Sequence, residues 1–239
     1  MILAAGEGKR MKSDLPKVLH PVGGKPMVAH VVSAARRAGV GEMVAVVGHG
    51  SARVVPLMKR LGVHQAVQDV QRGTGHAVLQ AFPMLAGFRG NVLVVSGDTP
   101  LVTAGTIKSI LAAHKRHSNA ITFGTAVVPD PRGYGRIVRD PDGAFVRIVE
   151  ERDADAETRR IDEVNGGIYC FRASALFDSL LLLTADNSQM EYYLTEAVDI
   201  VKDRGGRVEA VTIDDHTELL GVNTPKELAL VRKLYTGRQ

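Results

Sequence analysis

The chain is poor in the residues that would tie it to several common classes. Its 239 residues include one cysteine, no tryptophan, five tyrosines and six phenylalanines. A lone thiol excludes an intrachain disulfide and a cysteine-rich zinc site. Cys170 sits in the apolar run "GGIYCFRA", where a buried structural thiol is expected. Aromatics at 5% and dispersed basic residues argue against a nucleic-acid face built on stacked bases. No apolar run is long enough to span a bilayer, so no membrane partner is expected. Glycines interrupt the start at once, which leaves no charged-then-apolar leader and makes the cytoplasm the expected location. There is no low-complexity linker and no internal repeat, and in particular no hexapeptide periodicity follows residue 220.

What remains is an ordinary globular composition, 45% hydrophobic and 23% charged, with a formal net charge of +4. That balance suits a mixed, solvated surface, and equally an electropositive pocket for a phosphorylated ligand. The length suffices for one sizeable core, with or without a small lobe.

Up to about residue 118, short apolar runs alternate with helical periods. "MILAA", "EMVAVVG", "HQAVQ" and "GNVLVVSGD" read as strands. "PMVAHVVSAARRAG", "SARVVPLMKRLG" (despite its proline), "TGHAVLQAFPMLAG" and "AGTIKSILAAHKRH" read as helices. Apolar strands joined by crossover helices predict a doubly wound, mostly parallel sheet, with ligands beyond the carboxyl ends of its strands. After residue 118, "AITFGTAVV", "YGRIVRD", "AFVRIVEE" and "EVNGGIYCF" predict antiparallel additions forming a small lobe. The helices "SALFDSLLLL" and "YYLTEAVDIVKDRG", the strand "RVEAVTI" and a closing helix capped by Thr224 follow. Residues 1–118 thus form a candidate nucleotide-binding half and 119–239 the lobe and closing elements of a single domain. His114 and His117 lie at helical spacing without a nearby third ligand and read as a solvated face. His76 is expected to pack beneath the segment it follows, with no chemistry of its own.

The opening stretch "LAAGEGKRMKSDLPK" raises three phosphate-loop readings. The dinucleotide fingerprint needs a third glycine where Met11 stands, and an acidic residue after the next strand. A P-loop needs a glycine five residues before Gly-Lys-Ser/Thr, but Gly24-Lys25 is followed by Pro26 and has Leu19 at the first glycine position. Both fail. The third reading is a strand, a glycine turn and cations. In it Gly6 and Gly8 supply positive φ and close approach, while Lys9, Arg10 and Lys17 neutralise a polyphosphate.

"LAAGEGKRMKSDLPKVLHPVGGKPM" closely resembles the opening of the sugar-nucleotide pyrophosphorylases, and "VQDVQRGTGHA", "SGD", "GYGRIV", "IVEERDAD", "VNGGIYCF", "EYYLTEAV" and "LLGVNTPKEL" follow in that family's order. The pattern is most similar to the uridyltransferase domains of bacterial N-acetylglucosamine-1-phosphate uridyltransferases. The resemblance implies uridylyl transfer from UTP to N-acetylglucosamine 1-phosphate, giving pyrophosphate and UDP-N-acetylglucosamine, a peptidoglycan and cell-wall precursor. The nucleophile is already ionised at neutral pH, so the chemistry needs alignment and charge neutralisation more than a general base. By the same resemblance Arg10 and Lys17 are the catalytic cations, on the β- and γ-phosphates and near the α-phosphate. Leu3, Ala4, Gly6, Gly8, Gln68, Gly73 and Thr74 surround the nucleotide. Gly135, Glu150, Asn165, Tyr193 and Thr195 meet the acetamido sugar, and Asp98 and Asn223 hold Mg²⁺. Read alone, Asp98 also suits an N-cap or Asx turn, Asn223 suits helix capping, and Tyr193 and Thr195 suit a plain helix face.

Three positions depart from the family's pattern. Lys9 stands for threonine, Ser96 for tyrosine, and Met190 for a glycine before "EYY", where a different local loop is expected. The left-handed β-helix that carries acetyltransferase activity and trimerises full-length members has no counterpart, so the oligomeric state stays open. A related nucleotidyltransferase using another sugar 1-phosphate or dTTP, and a non-catalytic nucleotide- or sugar-phosphate-binding module, are the alternatives.

Overall fold

The computed structural model describes residues 1–238. In chain order the first elements are β1 (Ile2–Ala4), β2 (Pro21–Val22), β3 (Lys25–Pro26), α1 (Met27–Arg37), β4 (Val44–Val47), α2 (Ser51–Arg60) and β5 (His64–Val67). They continue with α3 (Thr74–Gln80), β6 (Asn91–Ser96), α4 (Ala104–Arg116), β7 (Ile121–Val127), β8 (Arg136–Arg139) and β9 (Phe145–Val149). β10 (Glu163–Arg172), α5 (Ala173–Leu180), α6 (Leu194–Asp203), β11 (Val208–Thr212) and α7 (Pro225–Gly237) complete the chain. These form two compact units that are discontinuous in sequence. The first comprises residues 1–71, 95–108 and 217–239, the second residues 72–94 and 109–216.

In the first unit β1 pairs in parallel with β4 and with the end of β6, and β4 pairs in parallel with β5, giving the order β6-β1-β4-β5. Every residue of β4 is buried, as a strand covered on both faces requires. The chain leaves β1 toward β4 and β5, then returns to β1's other edge as β6. Beside β1, therefore, the winding direction reverses, and such switch points hold ligands beyond the strands' carboxyl ends. The loops there are Ala5–Gly8 and Gly97–Asp98. Met11, Val22, Met27, Leu101, Val222, Leu228 and Val231 form a core cluster that fastens α7 to this unit. The expected Thr224 cap is present as a full capping box with Glu227.

In the second unit β7 has β11 parallel on one edge and β10 antiparallel on the other, and β8 joins β10 and β9 in antiparallel fashion. Phe123 stacks edge-on against Phe145 at 5.1 Å, and Cys170 is fully buried as its apolar setting predicts. The architecture is thus the expected parallel, helix-linked sheet with an antiparallel lobe. Three expected helices are shorter than their periodicity. α5 ends at Leu180, with the Leu182 N–H turned onto the Ser179 carbonyl. α3 stops at Gln80, and Phe82–Leu85 is a 3₁₀ turn, because Pro83 cannot donate to an α-helical ladder. α6 begins only at Leu194, since the Tyr192 N–H is spent on the Arg72 carbonyl and Tyr193 is extended. α2 runs through Pro56 as read.

Neither His114 of α4 nor His117, in the turn just beyond it, belongs to a plain solvated face. His114 is 2% exposed and its Nδ1 lies 3.2 Å from the Thr122 hydroxyl. His117 Nδ1 lies 2.7 Å from Glu209 Oε2, which also accepts from Asn119. Helical period alone could not show that β7 and β11 would cover this end of α4.

Asp199 of α6 has a buried Oδ1 without a hydrogen-bond partner. Burial, aided by Asp203 and opposed by the Ile148 N–H, Arg147 and Lys202, pushes its carboxyl up to about 7. Such a group holds its proton more tightly folded than unfolded. Its contribution is therefore greatest below pH 4 and falls as pH rises to about 7. We expect Asp199→Asn to remove this decline and to stabilise the chain at pH 8 by about 2 kcal/mol. Urea denaturation of both forms at pH 5 and pH 8 checks it, and an unchanged pH dependence would count against it.

Candidate active site

At the switch point the strand end Ala4 and the buried Ala5 lead into Gly6 and Gly8. The sequence treats the two glycines alike, but the structure separates them. Gly6 has no positive φ, and a Cβ added to it would meet nothing within 4 Å, so its freedom serves open approach and not a left-handed turn. Gly8 has φ +65, and a Cβ there would sit 2.9 Å from Lys17 Cβ. Glycine at 8 thus lets the Lys17 stem run against the loop.

The Lys17 ammonium donates to Asp98 Oδ2 and, at 3.0 Å, to Asn223 Oδ1. Both charged side chains are largely shielded, 15% exposed for Lys17 and 16% for Asp98. Asp98 follows β6, with the Gly97 N–H on the Leu3 carbonyl at 2.8 Å and its own carbonyl accepting from Val222 N at 3.0 Å. It caps no helix. The Thr103 hydroxyl caps α4, and Glu218 accepts from Thr103 N and the Thr106 hydroxyl. Asn223 is likewise not the cap of α7, a role taken by Thr224. Its N–H donates to Glu227 Oε2 at 2.7 Å, which fixes the residue and leaves its side chain to Lys17. The capping box therefore aims a functional side chain as well as starting a helix.

A carboxylate oxygen and an amide oxygen converge here on one cation. That donor set is hard and purely oxygen, and no group of three or more His, Cys, Asp or Glu side chains with metal-holding geometry occurs among the described residues. A divalent ion held by only two protein oxygens keeps the rest of its shell for water or phosphate, as Mg²⁺ prefers. Asp98 and Asn223 fit Mg²⁺.

Arg10 lies exposed on the single turn Lys9–Met11, without an ion pair or side-chain hydrogen bond among the described residues. Its neighbour Lys9 is paired to Glu7 at 2.5 Å, so the lysine that replaces threonine is partly neutralised by its own loop. Gln68 is buried at the end of the β5 run, 3% exposed, with its N–H on the Val47 carbonyl. Two further residues of this corner carried no sequence signal. Gln71 Nε2 reaches the Gln68 and Ala5 carbonyls, and Gly48 has Gln71, Gln68 and Ala5 atoms 2.7–2.9 Å from where a Cβ would stand.

The second unit holds the other expected residues. Gly73, at φ +103, precedes α3, and Thr74 opens it. The two are zipped to the α6 approach. Tyr192 N donates to Arg72 O and Gly75 N to Tyr192 O, both at 2.8 Å, while Leu194 N donates to Thr74 Oγ1 at 3.0 Å. Farther along, Thr195 is buried and donates to Glu150 Oε1 at 2.9 Å. A Cβ on Gly135 would lie 3.5 Å from Glu150 Oε2, and the Gly135 carbonyl accepts from Asn165 N at 2.9 Å. Asn165 sits at the bulge of β10, its Nδ2 2.5 Å from the Tyr169 hydroxyl. Gly135, Glu150, Asn165 and Thr195 therefore form one cluster. Tyr193 stands at the N-cap of α6, with its hydroxyl accepting from Gln189 Nε2 at 2.6 Å. Burial, with Asp153 and Glu191 nearby, raises the Glu150 carboxyl against the Thr195 hydrogen bond.

The loop before "EYY" keeps a glycine's shape without the glycine. Met190 has φ 54 and is 79% exposed, so it bears the left-handed strain with little packing in return. We expect Met190→Gly to stabilise the fold by about 0.5–1 kcal/mol, the relief of strain less the entropy glycine adds to the unfolded chain. A higher urea midpoint is the readout, and a lower one would show that the methionine side chain packs.

Residues 1–192 match the family model of the MobA-like NTP transferase domain. The chain belongs to this family. Among curated relatives it is 46% identical over 238 residues to the "Bifunctional protein GlmU" of Pelotomaculum thermopropionicum, covering 100% of this chain and 52% of the relative. It is 48% identical over 233 residues to that of Carboxydothermus hydrogenoformans, with 98% and 52% covered. The chain thus spans about half the length of the curated relatives it matches. Among solved structures it is similar to a putative glucose-1-phosphate thymidylyltransferase from Bacillus anthracis, with TM-score 0.79, 20% identity, and 98% and 93% of the two chains covered. A UDP-glucose pyrophosphorylase complexed with UDP-glucose gives the same TM-score at 17% identity, covering 100% and 98%. These two show the fold, a nucleotidyltransferase architecture. No left-handed β-helix and no helix long and apolar enough to cross a membrane occur among the described residues.

Proposed function

We propose that the chain transfers a uridylyl group from UTP to N-acetylglucosamine 1-phosphate. The observation that carries this reading is the convergence of Lys17, Asp98 and Asn223 at the switch point of a family that handles nucleoside triphosphates. A phosphate oxygen of the sugar 1-phosphate attacks the α-phosphorus, the bond to the bridging oxygen of the β-phosphate breaks, and pyrophosphate leaves. Lys17 stabilises charge as it develops at the α-phosphate, and Arg10, free on its exposed turn, takes the β- and γ-phosphates with a planar fork. Asp98 and Asn223 would hold Mg²⁺, which would supply charge neutralisation for the phosphates. The loop Leu3–Gly8, with Gln68, Gly73 and Thr74, receives the nucleoside. The cluster of Gly135, Glu150, Asn165 and Thr195, with Tyr193, receives the sugar hydroxyls and acetamido group. High identity to the GlmU proteins supports this choice of substrates.

The test is a pyrophosphate-release assay over a panel of nucleotides and sugar phosphates, with Mg²⁺ and with chelator. Release with UTP only when N-acetylglucosamine 1-phosphate is present, lost on chelation, is the expected result. Faster release with dTTP or glucose 1-phosphate would reassign the substrate. Binding of both substrates without release would make the chain a binding module.

A further inference from the structure

Arg136 heads the fully buried side chains of the described residues by volume, at 1% exposed. Its Nη1 donates to the Tyr134 carbonyl and its Nη2 to Glu151 Oε2 at 2.6 Å, while its Nε is buried with no acceptor. Glu151 Oε2 also accepts from the Gly133 N–H at 3.2 Å. One carboxylate oxygen thus gathers both ends of the segment Gly133–Arg136, with Gly133 in a left-handed conformation at φ 87. Gly135 lies inside that closed segment. Its carbonyl accepts from Asn165 N, and a Cβ added to it would lie 3.1 Å from Ile148 and 3.5 Å from the Glu150 carboxylate. In the sheet Arg136 is paired with Val149, the residue before Glu150, and with Val164, the residue before Asn165.

Stability does not account for this arrangement. Sealing a guanidinium from water is costly, and an apolar side chain of similar volume often does as well or better in such a place. The unfilled Nε makes the burial poorer still. What the fork does supply is geometry, because two nitrogens held in a plane set the distance between a backbone carbonyl and a carboxylate. We propose that Arg136 is a positioning residue for the sugar half of the site. By pinning the Gly133–Tyr134 turn to Glu151 it sets the spacing between the Gly135 backbone and the Glu150 carboxylate, and so governs affinity for the sugar 1-phosphate. This rests on the sugar-binding role proposed above for Gly135 and Glu150.

The experiment compares wild type with Arg136→Met, Arg136→Lys and Glu151→Gln, the last removing the charge from the partly exposed end should the methionine variant not fold. Arg136→Met is expected to raise KM for N-acetylglucosamine 1-phosphate about tenfold while KM for UTP stays within about twofold. Its melting temperature should hold or rise, and Arg136→Lys should restore part of the sugar affinity. Amide hydrogen exchange should accelerate at residues 133–136 and 150–151 alone. Equal rises in both KM values with a lowered melting temperature would reduce Arg136 to general stability and overturn the proposal, as would an unchanged sugar KM with unchanged exchange. If the wild type releases no pyrophosphate from this substrate pair, the functional reading fails. The exchange pattern and direct titration with the sugar phosphate then still decide whether Arg136 sets the turn and whether the turn binds sugar.

Discussion

Asp98→Ala is expected to lower pyrophosphate release by about a thousand-fold or more while the fold persists. Among the described residues the site loses its only carboxylate oxygen facing Lys17, leaving Asn223 Oδ1 as the one protein oxygen there for a cation. Lys17 loses its charged partner in a place where its side chain is only 15% exposed, so it is no longer held in one orientation. Nothing comparable happens to the backbone, since the bond from Val222 N runs to the Asp98 carbonyl and survives the change. Asp98→Asn separates shape from charge, because it keeps the outline and one acceptor but removes the negative charge. It should lose nearly as much activity as alanine if charge is what matters. Melting temperature, circular dichroism and Mg²⁺ titration belong beside the kinetics. An alanine variant within tenfold of wild type would remove Asp98 from the metal site.

The residue types of this corner stand out in the sequence, but the geometry that joins them does not. Lys17, Asp98 and Asn223 stand out in their motifs, yet 81 and 206 residues separate Lys17 from its two partners. The return of β6 beside β1 brings Asp98 to Lys17, and the Val222 N–H on the Asp98 carbonyl brings Asn223. The apolar strands, crossover helices and antiparallel turns were readable because burial on one or both faces dictates their periodicity. What stayed hidden rests on backbone. Gly6 and Gly8 look equivalent until φ and the Lys17 stem distinguish them. Gln71 and Gly48 matter through carbonyls that carry no side-chain signature. His114 and His117 read wrongly as solvated because helical spacing shows which residues share a face and not what covers it. Met190 is the converse case, in which the sequence departs from the pattern while the backbone keeps the glycine conformation.

Gly73→Ala is expected to cost about 3 kcal/mol or more of stability, and to weaken UTP and sugar phosphate binding together. At φ 103 and ψ 173 the residue lies where side chains are essentially excluded. A Cβ there would meet Tyr192 O at 2.5 Å and Tyr192 N at 2.9 Å, both backbone atoms that no rotamer change can move aside. Relief requires residues 72–75 to part from residues 191–194. That breaks the bonds Tyr192 N to Arg72 O and Gly75 N to Tyr192 O, and with them Leu194 N to Thr74 Oγ1. Thr74 and the start of α6 are thereby coupled, so a change beside the proposed nucleotide residue disturbs Tyr193 and Thr195 as well. Gly87→Ala is the control. Gly87 also has a positive φ, of 77, but a Cβ there would meet nothing within 4 Å, so only backbone strain of about 1 kcal/mol applies. Denaturant midpoints of the two variants measure the difference directly. If they coincide, the contact between Gly73 and Tyr192 does not hold these segments together, and the two KM values should then move independently.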